Sequence, residues 1–540
     1  MQKAFDELYQ QSKNGNNFYK LLEIIGLEQN ICLAYRNLKT NSGSKTAGTD
    51  GKTIEDIKGL SDREVIETVR KQLADYHPQS VRRVLIPKPG SDKKRPLGIP
   101  CIWDRLIQQC ILQVLEPICE PKFHNHSYGF RQNRDAHHAV SRVVSMVNMY
   151  KHYYCVDVDI KGFFDNVNHG KLLKQIWTLG IRDKRLLCII RKILKSEIEG
   201  EGIPDKGTPQ GGLISPLLSL IVLNELDWWV SSQWETFTPN GVKEGNMKGS
   251  KGWLSYARKY TNLKDGYVVR YADDFVVTAA TEEIALEAKG LIKDFLKTRG
   301  LELSDEKTVV THINDGFDML GWTFRKFKGK LIVKPSKKSI QAIVRNLSDT
   351  ILKRGKAWNQ DVLIMKLNQQ IRGWTNYHQS VCANEAFAHL DYILYELLWR
   401  WAKRRHPKKG QWWISTKYWH RRGNQNWVFS TDTKELIRVD HTPIVRHTKV
   451  REKANPFLDT EYFSQRKFSQ GMKKLSGRFK LIWKNQDGCC YHCGMPLDIS
   501  DEREIFFKVP KSCGGKEEVA NMAYVHADCQ RIYLESRSKE

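Results

Sequence analysis

The sequence lacks any apolar run long enough to cross a membrane. No stretch approaches the ~20 apolar residues of a membrane-spanning helix. The first 25 residues carry Asp6, Glu7 and Glu23 and lack the apolar core of a signal peptide. We therefore expect a soluble intracellular protein with no membrane partner.

A disulfide framework and internal repeats are also missing. Seven of the twelve cysteines are scattered through the first 400 residues, mostly in apolar surroundings, where buried thiols are common. The other five crowd into the last 52 residues. That crowding indicates a metal site rather than disulfide bridges.

Acidic side chains are too few to balance the basic ones. Lys and Arg total 87 against 61 Asp and Glu, which gives a net charge of +26. Such an excess favours a polyanionic partner, above all nucleic acid. The chain of 540 residues is long enough for several domains.

Two adjacent aspartates interrupt an apolar run. The stretch RYADDFVV, residues 270–277, sets Asp273 and Asp274 among valines and predicts a pair of short buried strands. The stretch VDVDIKGFFD places Asp157 and Asp159 on one face of another strand. Buried carboxylates are costly unless their charge is compensated. If Asp159 and Asp273 converge from neighbouring strands, their oxygens suit two Mg²⁺ ions about 3.5–4 Å apart, the arrangement used for in-line phosphoryl transfer.

Periodicity and turn residues predict the order of the elements. Residues 81–101 indicate a hairpin with a basic tip, and residues 106–115 repeat apolar side chains at helical spacing. A helix is predicted to begin after Thr281 as N-cap and to stop at Gly300. Alternating strands and helices over 150–330 favour an α+β sheet domain. Residues 240–265 look like a polar insertion loop, and 337–406 are predicted to be helical.

Several segments resemble, in the same order, the motifs of reverse transcriptases. RYADDFVV is similar to the catalytic Y-x-D-D motif, VDIKGFFDNVNH to the first metal-binding motif, and GTPQGGLISPLL to the template and dNTP loop. SDEKT resembles the lysine motif that follows, and FDMLGWTF the primer grip. VRRVLIPKPGSDKKRPLGIP and FHNHSYGFRQNRDAHHAV resemble the fingers motifs. The segment IRGWTNYHQ resembles a maturase segment. The particular residues in these motifs are similar to those of group II intron-encoded proteins.

The resemblance implies an α+β chain with a right-hand polymerase fold and four parts. Residues 1–335 are expected to form the fingers and palm, and 336–406 an α-helical thumb or maturase domain. Residues 407–474 are expected to form a basic DNA-binding region. Residues 475–540 are expected to form a small zinc-binding domain related to HNH endonucleases.

The resemblance also implies roles for individual residues. The carboxylates that bind Mg²⁺ are then Asp159, Asp273 and Asp274, with Asp274 contributing least. Lys307 is then a candidate acid for the leaving pyrophosphate, and the alternative is that it is a solvated lysine. The residues implied to contact the dNTP are Lys88 and Arg95 on its triphosphate, Phe164 as a steric gate under its sugar, and Gln210. Gly211 and Gly212 are expected to let the backbone approach the base pair closely.

A basic stretch rich in tryptophan follows the helical segment. Residues 399–429 hold six Trp interleaved with nine Lys or Arg. Basic side chains bind phosphates and aromatic faces stack on unpaired bases. Alternatively, the tryptophans build a small core while the charges face solvent, and we expect both. The candidate nucleic-acid contacts are Arg404, Arg405, Trp412, Lys417, Arg421 and Arg422.

The C-terminal cysteines have the spacing of a structural zinc site. Cys490-x-x-Cys493 and His526-x-x-Cys529 supply four ligands, with Cys489 and Cys513 as substitutes and plain reduced thiols as the alternative. The sequence around these cysteines resembles an HNH endonuclease domain that has lost its catalytic histidines. The paired histidines of that family are replaced by Phe506 and Phe507 and its last histidine by Gln530, while Gly514, Gly515 and Asn521 remain. We therefore expect zinc binding without nuclease activity, and we interpret the literal HNH at 124–126 as coincidence.

Together these features predict an RNA-dependent DNA polymerase that is also a maturase. Its expected partners are its group II intron RNA, target DNA and dNTPs, and its expected cofactors are two Mg²⁺ ions and one structural Zn²⁺. It is expected to assist splicing and reverse splicing and to copy the RNA into cDNA. The alternatives are a domesticated freestanding reverse transcriptase and a splicing-only RNA chaperone. The expected location is the bacterial cytoplasm or nucleoid, with an organelle-encoded protein as the alternative.

Overall fold

The computed structural model describes residues 1–87, 94–233, 266–451, 454–475, 477–494, 497, 503–526, 529–530 and 533. Lys88 and the polar segment 240–265 lie outside the described residues. The chain divides into two compact units, Met1–Lys449 and Val450–Glu540. Within the described ranges, no helix combines the length and apolar character needed to span a membrane.

Helices and one hairpin form the first part of the larger unit. The helices are α1 (Gln2–Lys13), α2 (Leu21–Ile25), α3 (Glu28–Thr40), α4 (Ile54–Lys58), α5 (Asp62–Ala74), α6 (Ile102–Cys119) and α7 (Ala136–Met149). Strands β1 (Arg82–Pro87) and β2 (Lys94–Ile99) pair antiparallel, so the predicted hairpin is confirmed. The apolar repeat over 106–115 lies in α6, where its side chains are fully buried.

A four-stranded antiparallel sheet follows, in the order β4-β5-β3-β6. Its strands are β3 (Tyr154–Val158), β4 (Gly266–Tyr271), β5 (Asp274–Ala279) and β6 (Val309–His312). The valines on either side of the two aspartates are buried in β4 and β5, which confirms the predicted pair of buried strands. The helices between these strands are α8 (Phe163–Asn166), α9 (His169–Thr178), α10 (Lys184–Leu194), α11 (Ser215–Ser232) and α12 (Glu282–Lys297). Thr281 caps α12 by accepting the Ile284 N–H, as predicted.

A three-stranded sheet and a helical region complete the centre of this unit. Strands β7 (Phe317–Met319), β8 (Trp322–Phe327) and β9 (Lys330–Pro335) pair antiparallel in sequence order. The helices are α13 (Lys337–Ser348), a π-helical turn (Asp349–Arg354), α14 (Gln360–His378) and α15 (Asn384–Arg405). The predicted helical character of 337–406 is confirmed.

The basic stretch does not form a separate core. Helix α16 (Gln411–Tyr418) and strands β10 (Trp419–Arg422) and β11 (Gln425–Phe429) follow α15. Side chains from these elements share one hydrophobic core with α14 and α15: Ile414, Tyr418, Trp419, Phe429 and, further along, Val439. The core therefore continues past residue 406.

The smaller unit combines helices with a two-stranded sheet. Its elements are α17 (Thr460–Lys474), α18 (Gly477–Asn485), β12 (Arg503–Phe507) and β13 (Met522–His526), and the two strands pair antiparallel. Buried Trp483, Phe506 and Tyr524 contribute to its core.

Candidate functional site

Strand pairing brings the predicted carboxylates together at one end of the four-stranded sheet. Val158 of β3 stands opposite Phe275 of β5, so Asp159 and Asp274 are the next residues beyond that pair. Asp273 lies in the two-residue turn between β4 and β5. The predicted convergence of Asp159 with the aspartate pair is thus present in the structure.

The carboxylates raise one another's affinity for protons. The pKa of Asp274 rises to about 6, first through desolvation and then through the negative charges of Asp273 and Asp159. Asp274 keeps contact with solvent, but surrounding protein atoms displace much of the water around it. The pKa of Asp157 also rises to about 6, through burial and then through Asp274 and Asp159. The site holds more negative charge than its own residues neutralise.

Two basic side chains act on this charge. Lys307 Nζ lies 3.0 Å from Asp159 Oδ2, and the side chain of Lys307 is 62% exposed. The backbone N–H of Ser304 donates to the carbonyl of Asp159, which holds the lysine segment beside the strand end. Arg95 of β2 lowers the pKa of Asp274 against the larger raising effects. The structure therefore places Lys307 in contact with Asp159 and Arg95 near enough to Asp274 to act on its charge.

A buried ion pair holds the turn that presents Asp273. Arg270 Nε lies 2.9 Å from both carboxylate oxygens of Asp227, and each side chain is 1% exposed. Arg270 Nη1 donates to the carbonyl of Ala272 at 2.8 Å. Ala272 has φ +59°, a left-handed conformation that costs energy for any residue with a side chain. The guanidinium thus fixes a strained turn.

A third segment packs on the same turn. Tyr128 N–H donates to the carbonyl of Arg270, and Arg270 N–H donates to that of His126, both at 2.9 Å. A Cβ on Gly129 would lie 2.3 Å from the backbone nitrogen of Ala272. Sequence reasoning assigned no role to Arg270, Asp227 or Gly129. The available signal was a charged side chain inside an apolar strand or helix, which requires a partner.

Backbone hydrogen bonds join the segments that carry the predicted nucleotide-binding residues. Thr208 N–H donates to the carbonyl of half-buried Phe164 at 2.7 Å, and Gly98 N–H donates to that of Gln210 at 2.8 Å. The Gln210 loop is thereby fastened to β2, the strand that carries Arg95. A Cβ on Gly211 would lie 2.4 Å from the Gly98 carbonyl oxygen. Close packing of two protein segments thus already requires glycine there.

The basic stretch separates into exposed and structural side chains. Trp412 is 78% exposed, and Arg404 and Arg421 face solvent. Arg405 instead donates to the Lys356 carbonyl at 3.2 Å and lies over the Trp401 ring.

The other two candidates in this stretch are also engaged by their neighbours. Arg422 donates to Ser430 Oγ at 3.2 Å and to the Thr431 carbonyl. Lys417 Nζ lies 4.9 Å from the Trp413 ring centroid. Arg405 and Arg422 therefore hold the fold together, whatever else they contact.

The four predicted zinc ligands come together in the smaller unit. The ligand atoms of Cys490, Cys493, His526 and Cys529 all lie within 4.8 Å of one another. Cys493 Sγ is 3.4 Å from His526 Nδ1. Burial raises the pKa of the Cys490 thiol, but backbone N–H groups directed at the sulfur outweigh it and lower that pKa to about 7. Cys489 and Cys513 are outside this set.

The retained glycine and asparagine of the HNH-like pattern hold one loop. Asn521 Nδ2 donates to the Lys516 carbonyl at 2.9 Å, and its Oδ1 accepts the Val509 N–H at 2.7 Å. A Cβ on Gly515 would lie 2.0 Å from the Val509 carbonyl oxygen. Phe506 is a core residue whose ring stacks with Tyr491 at 5.8 Å.

The literal HNH sequence lies elsewhere, in the larger unit. His124 and His126 are buried there. His124 Nε2 is 2.9 Å from Ser231 Oγ, and His126 Nε2 is 2.6 Å from the Tyr267 hydroxyl. Their surroundings are those of packed core histidines.

Comparison with known proteins identifies the class. The family model for Reverse transcriptase (RNA-dependent DNA polymerase) matches residues 86–324, and that for Group II intron, maturase-specific domain matches 340–419. Group II intron-encoded protein LtrA of Lactococcus lactis subsp. cremoris is 29% identical over 552 residues, covering 90% of this chain and 89% of that protein. Protein YkfC of Escherichia coli (strain K12) is 34% identical over 321 residues, 56% of this chain and 82% of that protein. Nuclear intron maturase 2, mitochondrial, of Arabidopsis thaliana is 24% identical over 275 residues, 40% and 37% respectively.

The mixed fold and the clustered carboxylates are those of an RNA-directed DNA polymerase of the reverse transcriptase class. The chain belongs to the family of group II intron-encoded proteins, with both their reverse transcriptase domain and the maturase domain that acts in splicing.

Proposed function

We propose that this protein binds its own group II intron RNA, assists the splicing and reverse splicing of that RNA into target DNA, and copies the RNA into cDNA from dNTPs. The observation that carries the proposal is the carboxylate cluster of Asp159, Asp273 and Asp274 beside Lys307 and Arg95. The maturase domain packed in one core with the basic stretch supports the splicing role.

The carboxylate cluster fits two Mg²⁺ ions. Its donors are carboxylate oxygens, the ligands that Mg²⁺ prefers. Desolvation and then the charges of Asp273 and Asp159 raise the pKa of Asp274, and a bound cation would offset both effects. When bound, the metal neutralises charge on the reacting phosphates. Asp159 and Asp273 are proposed as the main ligands and Asp274 as the lesser one.

The surrounding residues position the nucleotide. Arg95, together with Lys88, is proposed to neutralise the triphosphate, and Gln210 to contact the incoming nucleotide. Phe164 is proposed as the ring that leaves no room for a 2′-hydroxyl. Lys307 is proposed as the acid that donates a proton to the leaving pyrophosphate, which its ion pair with Asp159 supports. Phosphoryl transfer requires mainly positioning and charge neutralisation, and this set supplies both.

The four-part division gives each region a task. Residues 1–335 act as the fingers and palm, 336–406 as the thumb, 407–474 as the basic DNA-binding region and 475–540 as the zinc-binding HNH-like domain. Because the basic stretch shares a core with α14 and α15, we propose that thumb and basic region present one surface to nucleic acid. Exposed Trp412, Arg404 and Arg421 are the best-placed contacts, with Lys417 beside them.

The C-terminal domain is proposed to hold one structural Zn²⁺ and to lack nuclease activity. Its four ligands have the residue types and proximity of a closed zinc site. Phenylalanine at 506 and 507 can neither bind a metal ion nor accept a proton from water. The primer for cDNA synthesis then has to come from another source, such as a nascent strand at a replication fork.

Sequencing of the co-purified RNA tests the proposed function. The protein is purified from its native host under mild conditions, and the bound RNA is sequenced. Enrichment of one structured RNA that encodes this protein is the expected result. No enrichment, or an unrelated noncoding RNA, would move the polymerase to a domesticated role. Splicing without DNA synthesis by the same preparation would favour the RNA chaperone.

A further inference from the structure

A second group of metal-ligating side chains lies at the start of α7. Asp135 caps this helix, and its Oδ1 accepts the His138 N–H at 3.0 Å. His137 follows in the first turn of the helix. His447 reaches the same place from an irregular segment, and its ring stacks on that of His137 with centroids 5.4 Å apart. The polymerase and splicing roles described above assign nothing to these residues.

The hydrogen bonding of His137 fixes which nitrogen faces the group. His137 Nε2 lies 2.8 Å from the carbonyl oxygen of Tyr377. Because a carbonyl can only accept, Nε2 carries a hydrogen, and in the neutral imidazole Nδ1 then presents its lone pair. That Nδ1 lies 3.7 Å from Asp135 Oδ1, and His447 Nε2 lies 4.0 Å from the same oxygen. In that neutral form a lone pair faces a carboxylate oxygen, and a cation between them, either a metal ion or a proton on Nδ1, would relieve the repulsion.

We propose that Asp135, His137 and His447 bind a divalent transition metal ion, with Zn²⁺ the best match. The three ligand atoms lie within 4.8 Å of one another. Zinc bonds of about 2.0–2.2 Å bring tetrahedral ligands to roughly 3.3 Å apart, so the ligands close in by about 1 Å. Imidazole ligands favour zinc over magnesium, which separates this site from the carboxylate cluster.

Two features of the surroundings suit a metal site, where the ion would share Asp135 Oδ1 with His138 Nδ1, 2.7 Å away. The Tyr377 carbonyl orients the ring of His137, as an outer partner does for most metal-bound histidines. The side chains of His137 and His447 are 19% and 10% exposed, whereas that of Asp135 is 50% exposed. The carboxylate side therefore gives a path for the ion and room for a water as fourth ligand.

A metal here would connect three distant segments of the larger unit. His137 belongs to α7, and Tyr377 belongs to α14. The Tyr377 ring stacks on Trp322 with centroids 4.2 Å apart, and its hydroxyl donates to the Leu320 carbonyl at 2.9 Å. His447 is held against the end of α14 by the bond from Val445 N–H to the Gln379 carbonyl. The bound ion would therefore stabilise the turn that precedes β8.

Metal stoichiometry of the full-length chain tests this proposal. Zinc is measured by mass spectrometry in the parent and in a C490S/C493S background, where the cysteine site is disabled. His447→Ala and Asp135→Asn are then added to that background. Asparagine is itself a good N-cap, so Asp135→Asn keeps the helix start while it removes the charged ligand. His389→Ala, an exposed histidine on α15, is the matched control.

The expected result is one zinc per chain in the C490S/C493S background and in its His389→Ala control, and none after His447→Ala or Asp135→Asn. Co²⁺ added to the background should give ligand-field bands without a thiolate charge-transfer band. Added Zn²⁺ should raise its melting temperature and should not raise that of the His447→Ala chain. The proposal is overturned if the background holds no zinc or if the two ligand variants retain it. It is also overturned if stability responds to pH and not to Zn²⁺, because a proton would then be the cation.

Discussion

The carboxylate cluster of the central sheet and the cysteine domain differ in the side chains that stand where the sequence resemblances imply chemistry. In the sheet, Asp159, Asp273 and Asp274 converge, and the pKa of Asp274 is raised first by desolvation and then by the charges of the other two. In the cysteine domain, Phe506, which stands where the resemblance to HNH endonucleases implies a histidine, packs into the core. Its scaffold residues, such as Asn521, keep their hydrogen bonds.

This difference agrees with the proposed retention of the carboxylate site and the proposed loss of nuclease chemistry. Like charges held together cost stability, and they persist where the chemistry requires them. Once the chemistry is dispensable, an apolar side chain at the same position adds packing instead. The four proposed zinc ligands would persist after such a loss, because metal binding is coupled to folding.

The largest expected effect is on DNA synthesis, when one negative charge is removed from the carboxylate cluster. Asp273→Asn should lower DNA synthesis by at least ~10³-fold, because a lost metal ligand costs several kcal/mol of transition-state stabilisation. Splicing assistance should persist. Primer extension on an RNA template and splicing of the intron RNA are measured on one preparation, with exposed Asp315→Asn as control. Loss of both activities would mean that the two functions share this carboxylate.

The second-largest effect is expected from breaking the buried ion pair that holds the turn between β4 and β5. Asp227→Leu leaves the Arg270 charge buried without its partner, which should cost about 3–5 kcal/mol and lower the denaturant midpoint. The double variant Asp227→Leu/Arg270→Leu should recover most of that stability. Its turnover at saturating dNTP should stay low, because the Ala272 carbonyl has lost its donor. Recovery of both properties would show that the pair serves packing alone.

Restoring histidines in the cysteine domain should cost stability without restoring cleavage. Phe506→His/Phe507→His places an imidazole in the core and should destabilise the domain by roughly 1–3 kcal/mol. Phe507→His alone should cost less, because Phe507 is only half-buried. Neither these variants nor the parent should nick a matched DNA target in the presence of metal ions. Metal-dependent nicking by the parent would remove the contrast between the two sites.

The smallest effect concerns Asp157, which adds to the negative charge of the sheet site. Its folded-state pKa of about 6 lies above the unfolded value of about 3.9, so the folded chain binds more protons between these limits. Without metal, stability should therefore fall as pH rises from about 4 to about 6. Asp157→Asn should flatten this slope and add about 1 kcal/mol at neutral pH, since the group is partly screened.

Thermal melts in chelator across this pH range check the Asp157 prediction. Asp294→Asn, an exposed carboxylate on α12, is the control and should keep the parent slope. An unchanged slope in Asp157→Asn would mean that its neighbours, not Asp157, set the pH dependence.

Local pattern was enough to predict the strands and most of the site. Alternation along β3 put Asp157 and Asp159 on one face, and cysteine spacing was enough to propose the four zinc ligands. Contacts between distant segments could not be predicted, because the local sequence of a segment does not indicate which distant residue it will contact. Arg270 with Asp227 and His137 with His447 are such contacts, and the carbonyl bonds of Arg405 are another.

The continuous core that joins α14 and α15 to residues 411–439 limits how this protein can be divided. A chain shortened at residue 406 would leave the apolar faces of two long helices open to water, and such surfaces aggregate. If recombination exchanged only the basic stretch, every apolar side chain of the new stretch would have to fit against α14 and α15. The nucleic-acid surface and the maturase helices are therefore expected to be inherited as one module, and a protein engineer would have to transplant them together.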